Sequence, residues 1–125
     1  MKKELSDRLR QRWPLILSGI GQIGCGDGWY DLLDLLCGRL QFDIDHNREP
    51  QIVAVQIKEK FGGLSFYVES GNDRQRGMID FASDIARRTC EQCGSPGWLI
   101  SDRNGIERTR CLAHAPADAI WAERE

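Results

Sequence analysis

The sequence has no run of about 18 apolar residues, the length needed to cross a membrane. Its greasiest stretches, residues 15–20 and 32–37, carry Gly, Ser or Asp within or beside them. A membrane-spanning role is excluded. There is also no excess charge of one sign: 17 basic and 19 acidic side chains leave a net −2, so no global basic field draws the chain onto a polyanion. Residues 1–8 are charged and are not followed by an unbroken apolar segment with a small-residue cleavage site, so a cytoplasmic location is expected. Only two histidines occur, His46 and His114, which leaves little material for a Ser-His-Asp arrangement. Internal repeats and low-complexity tracts are missing as well.

What remains is an ordinary globular composition. With 125 residues, 41% apolar and 29% charged, the chain is long enough to bury a core and too apolar to be disordered. A single domain over residues 1–125 is expected. Charge is unevenly spread: residues 1–12 hold five basic and two acidic groups, whereas residues 25–50 hold six acidic and two basic ones.

Five cysteines form an odd set for a cytoplasmic chain, in which thiols stay reduced, so a disulfide framework is a poor explanation. Three of them join a histidine in one pattern: Cys90-x2-Cys93, seventeen intervening residues, then Cys111-x2-His114. Two residues between ligands let one tight turn aim both at the same tetrahedral ion, and Gly94 suits the left-handed backbone of such a knuckle. The pattern predicts one zinc per chain, held by Cys90, Cys93, Cys111 and His114. With every position filled by protein, its role would be structural. Cys37 falls on an apolar helical stripe and reads as a small core residue. Cys25, between two glycines, reads as part of a loop.

Periodicity supplies the rest of the architecture. Leu5, Leu9, Trp13, Ile16 and Ile20 recur at helical spacing, but Pro14 forces two short helices or a kink. Gly19 to Gly28 reads as a flexible connector. From Asp27, a plausible N-cap, Trp29, Leu32, Leu33, Leu36, Cys37 and Leu40 define an amphipathic helix. Residues 51–69 alternate as a β-hairpin turning at Gly62 and Gly63. Met78, Phe81, Ala82, Ile85 and Ala86 mark another helix that runs straight into Cys90. Between the two ligand pairs, residues 98–101 and 106–109 flank the turn signal Asp102-Arg103-Asn104-Gly105, a second hairpin. Beyond His114, the positions of Ala117, Ile120 and Trp121 suit a short helix over residues 115–125. The expected fold is therefore α+β: helices packed on a small antiparallel sheet in a body of residues 1–89, with a treble-clef-like zinc module over residues 90–125 integral to it.

The string Gln56-Ile57-Lys58-Glu59-Lys60-Phe61-Gly62-Gly63-Leu64-Ser65-Phe66-Tyr67-Val68 follows a Gly28-Trp29 helix. After it comes a helix that runs into Thr89-Cys90-Glu91-Gln92-Cys93-Gly94. This arrangement resembles a group of small uncharacterised proteins of phages and prophages over residues 28 to 114. The resemblance brings no activity with it. What it implies is context: an accessory protein acting in a bacterial host cell, in a class where inhibitors of host defences are common.

Further surface sites can be weighed from the residues. Lys58 and Lys60 beside Phe61 suit a phosphate or a stacked base, and Trp29 and Tyr67 belong to the same candidate binding group. Asp43, Asp45 and His46 invite a second metal or an acid/base pair, but no spaced carboxylate completes a ligand set. Arg74, Arg76, Arg87, Arg88, Arg103, Arg108 and Arg110 gather around the zinc half, although acidic neighbours reduce residues 71–90 and 101–111 to +1 each. The reading that follows is non-enzymatic: a zinc-stabilised protein that binds a host protein and inhibits an antiviral system. A nucleic-acid-binding module and a pocket protein that sequesters a small phosphorylated nucleotide remain as alternatives.

Overall fold

The computed structural model describes residues 1–123. Helices α1 (Lys3–Arg12) and α2 (Pro14–Leu17) are separate, because Pro14 opens α2 and Trp13 between them leaves helical geometry. Strand β1 (Ile23–Gly24) and a 3₁₀ turn (Asp27–Trp29) lead into α3 (Tyr30–His46). Strands β2 (Ala54–Lys60) and β3 (Gly63–Val68) form the first hairpin, and α4 (Asp73–Ala86) returns along it. Strands β4 (Trp98–Ser101), β5 (Glu107–Arg110) and β6 (Ile120–Trp121) complete the chain. The class is α+β, with a Cys/His cluster towards the carboxyl terminus.

One core unites the helices with the first sheet. Leu9 of α1, Ile16 and Leu17 of α2, Trp29, Leu33 and Leu40 beside or in α3, Ile57 and Phe66 of the hairpin, and Ala82 and Ala86 of α4 are all buried in it. Helix α4 is fixed at its start by a capping box, in which Asn72 accepts from Gln75 N–H and Gln75 returns the bond to Asn72 N–H. Reciprocal bonding of this kind satisfies two donors that the first helical turn leaves open.

Four local features differ from the sequence reading. The glycine-rich connector contributes β1, which pairs in parallel with β2 through Ile23↔Ile57 and Gly24↔Lys58, so the first sheet is mixed, in the order β1-β2-β3. A strand of two residues is too short to show alternation. Asp27 does not cap α3: it sits in the 3₁₀ turn, and its carboxylate accepts from Lys2 N–H at 2.8 Å. The hairpin turns at Phe61-Gly62, with φ of 52° and 81°, while Gly63 already pairs with Lys60. Two positive φ angles match the right-handed strand twist, which is the usual solution for a two-residue loop.

The fourth difference lies beyond His114. In place of a helix, β6 adds to β4 through Ile100↔Trp121 and Ser101↔Ile120, giving the order β5-β4-β6. Residues 124–125 lie outside the described residues. The apolar spacing there was compatible with a helix, but so short a segment nucleates one poorly, whereas Ile and Trp suit a strand. Trp121 also packs edge-on against Trp98 at 5.9 Å. The treble-clef comparison thus holds for the knuckle and the hairpin, and the closing helix is replaced by a strand.

Candidate metal centre and surface sites

Two tight turns converge on one point. In the first, Gly94 N–H donates to Cys90 O at 2.9 Å, and Gly94 takes the left-handed φ of 81° that its sequence position suggested. In the second, Ala115 N–H donates to Cys111 O at 2.9 Å, which curls His114 back over Cys111. The hairpin β4–β5 carries the chain from one turn to the other. The three Sγ atoms and a ring nitrogen of His114 all lie within 4.8 Å of one another.

The separations test whether a metal would fit. With metal–sulfur bonds of about 2.3 Å, a regular tetrahedron places two sulfurs about 3.8 Å apart, and a sulfur and a nitrogen slightly closer. Cys93 and Cys111 sulfurs stand 3.7 Å apart, while His114 Nδ1 lies 3.8 Å from Cys90 Sγ and 3.2 Å from Cys111 Sγ. The cluster therefore fits a tetrahedral ion bound through Nδ1, with no coordination position left over. Cys90 and Cys111 are buried, and Cys93 and His114 face outward. The Ser95 hydroxyl and backbone N–H pull the Cys93 thiol down to about 6, and burial pushes Cys111 up.

The knuckle is joined to the body by close backbone contacts. Glu91 is buried between them: its carbonyl accepts from Gly28 N–H at 2.7 Å, and its carboxylate accepts from Gly26 N–H at 2.9 Å and from Arg110 at 3.2 Å. A β-carbon at Gly28 would collide with Cys90 O and stand 2.7 Å from Cys93 N, so only glycine permits this approach. On the other side, the Thr109 hydroxyl donates to Gly62 O at 2.6 Å and Arg108 pairs with Glu59 at 3.2 Å.

The remaining candidate residues divide. Trp29 is not a surface group: it is fully buried, and its indole N–H donates to Thr89 O at 2.9 Å just ahead of the knuckle. Phe61 is 69% exposed. Lys58, Lys60 and Tyr67 stay with it near the hairpin, because Lys58↔Ser65 and Gln56↔Tyr67 share the outward side of the strands. Asp43 is buried and engaged by Asn47, Arg39 and Arg74, so it is a structural carboxylate. Asp45 accepts from Gln41, and His46 packs on Phe42. Asp34 accepts from both Arg12 and Trp13. The acidic stretch is thus largely spent on internal contacts.

Three of the arginines near the Cys/His cluster are similarly engaged. Arg103 pairs with Asp118, Arg108 with Glu59, and Arg110 with Glu91. Cys25 and Cys37 are buried and are not among the four residues of the Cys/His cluster, and desolvation pushes both thiols up to about 12.

Two surface features were not anticipated. An apolar groove of about 180 Å³ runs between α3 and α4 over Leu36 and Ala82, walled by Leu35, Phe81 and Ile85. On the opposite flank of α4, a more polar groove beside β3 is lined by both Arg87 and Lys60. Both join residues from separate elements, which no local spacing reveals. No protein-family model, curated protein or solved structure matches the chain.

Proposed function

We propose that the protein is a non-enzymatic accessory protein of phage type, held together by one structural zinc, that binds a host protein in the bacterial cytoplasm and inhibits an antiviral system. Zinc is favoured over other ions by the ligand chemistry: three thiolates and an imidazole at tetrahedral separations suit a borderline-soft ion without geometric demands of its own. The filled ligand set argues for a structural role. The thiols outside it are buried and protonated, which makes them poor nucleophiles.

The observation that carries the binding reading is the groove between α3 and α4. Leu35 and Phe81 on its walls are 71% and 66% exposed. Clustered apolar exposure of this kind is atypical of a solvated helix pair and characteristic of a surface that meets another protein. The zinc half contributes less to recognition, since Arg103, Arg108 and Arg110 are occupied by acidic partners.

The test is affinity capture from nuclease-treated bacterial lysate, comparing the natural chain with Leu35→Asp and Phe81→Asp variants of unchanged melting temperature. A defined protein retained by the natural chain and lost from both variants supports the reading. Equal retention by all three would remove the groove from it.

A further inference from the structure

We propose that the polar groove between β3 and α4 binds a nucleotide, its phosphate held by Lys60 and Arg87 and its base stacked on Phe61 or Tyr67. This inference does not rest on the protein-binding reading, because the two grooves lie on different flanks of α4: Phe81 and Ile85 line one, and Ser83 and Arg87 the other.

The first observation is how the two cations meet. Lys60 ends β2 and pairs with Gly63. The Arg87 guanidinium lies directly against Gly63, where a β-carbon would stand 2.8 Å from its Nη2. A glycine on the strand thus lets an arginine from the end of a helix settle beside the lysine. Lys60 has no carboxylate within ion-pair distance among the described residues. Arg87 has only the exposed Asp84, at 3.8 Å. Two neighbouring cations without a firm counter-ion repel one another, and an anion between them relieves that repulsion.

The second observation concerns what surrounds them. The Ser65 hydroxyl lines the groove without a hydrogen-bond partner among the described residues, so it is free to donate to a phosphate oxygen. Ser83 is already committed to Leu64 O at 2.8 Å and holds the helix against the strand. The cavity, about 420 Å³, is large enough for a small ligand.

The third observation is the pair of aromatic rings. Phe61 occupies a left-handed turn position at φ 52°, where glycine or asparagine would be unstrained and a bulky residue is an outlier. Folding gains little from the ring, since it is mostly exposed. Tyr67, 55% exposed, projects from the same side of β3 as Ser65. Aromatic faces beside a cationic phosphate site are the usual means of holding a nucleotide without reading its sequence. Asp80 is the acid on the groove wall, and it disfavours a bare anion more than a ligand whose base extends along the strand.

The experiment uses the metal-loaded full chain and amide spectra recorded with uridine monophosphate, ATP, a short oligouridylate, pyrophosphate or inorganic phosphate. The expected result is a shift of amides over residues 60–67 and 83–87 with the nucleotides. Lys60→Gln with Arg87→Gln weakens nucleotide binding by about tenfold or more. Phe61→Ala with Tyr67→Ser weakens it by about tenfold while sparing inorganic phosphate. Lys3→Gln, on α1, changes nothing. Tighter binding of the oligonucleotide than of the monomers identifies single-stranded nucleic acid as the source, and equal binding identifies free nucleotide. Shifts confined to other residues, no shift with any probe at millimolar concentration, or binding to which the base adds nothing over pyrophosphate would overturn the proposal. The spectra of the natural chain decide the matter even if a variant fails to fold.

Discussion

Gly28 N–H donates to Glu91 O at 2.7 Å, tying the turn before α3 to the Cys90–Cys93 knuckle. The contact is feasible only because residue 28 has no side chain, since a β-carbon would meet Cys90 O and lie 2.6 Å from Gly94 N. Backbone atoms cannot move aside as a flexible side chain would. Gly28→Ala is therefore expected to cost about 1–3 kcal/mol or more and to weaken metal binding at the same time, because the displaced atoms belong to the knuckle. Thermal melts and competition with a chromophoric chelator check both effects. Gly77→Ala, in open space on α4, serves as the contrasting variant and should gain up to about 1 kcal/mol from helix propensity.

Removing the metal should affect one part of the molecule more than the other. Residues 90–123 own few large buried side chains, and their two turns converge on the Cys/His cluster, so the energy of a metal bound there would be folding energy. Chelation or Cys93→Ser is expected to abolish the amide pattern of β4, β5 and β6, while the core around Trp29, Leu33 and Ile57 keeps its signals but melts earlier. Elemental analysis should find one zinc per chain in the untreated protein. A preparation folded through residue 121 with no metal would refute this account.

Trp29 and Phe61 make a second contrast. Trp29 fills the core and donates to Thr89 O, so Trp29→Ala should cost about 3–5 kcal/mol. Phe61 is exposed and pays a left-handed backbone penalty, so Phe61→Gly should stabilise the fold by roughly 1 kcal/mol. Urea denaturation of the two variants should move the midpoint in opposite directions.

The contrast also shows what could be read before the structure was known. Both residues were visible as aromatics near glycines, but which one is buried depends on contacts such as that of Trp29 with Thr89, far away in sequence. Elements with their own periodicity, such as α3 and the two hairpins, were legible because each displays its buried face within one segment. The two-residue β1 and the strand pairing of Trp121 were not, since each takes its conformation from a neighbour. The metal cluster was legible for the opposite reason: ligand chemistry restricts both residue type and spacing so tightly that Cys90, Cys93, Cys111 and His114 identify one another. The polar groove at Arg87 was not legible because its cations come from a strand and a helix that are far apart in the sequence.

Asp43 provides a prediction about pH. Its carboxylate is buried at the end of α3, where the Asn47 side chain donates to it at 2.6 Å and the charges of Arg39 and Arg74 lie nearby. The Asn47 hydrogen bond first, and then the two arginines, outweigh the opposing effect of burial and hold its pKa below the ordinary 3.8. The folded state therefore binds this proton less readily than the unfolded chain does. Its stabilising contribution is complete above the ordinary value and is lost as pH falls through the lower folded one. Asp43→Asn removes the charge but keeps the shape, leaving Arg39 and Arg74 without their buried partner. The variant should be less stable than the natural chain at neutral pH, and the gap should narrow only below pH 3.8. Asp31→Asn, whose side chain is exposed, should change stability by less than about 0.5 kcal/mol at any pH. Urea midpoints for the three proteins, measured from neutral pH down into the acid range, test this directly. A gap between the Asp43→Asn and natural chains that stays constant through the acid range would show that the carboxylate's charge has no part in holding the end of α3.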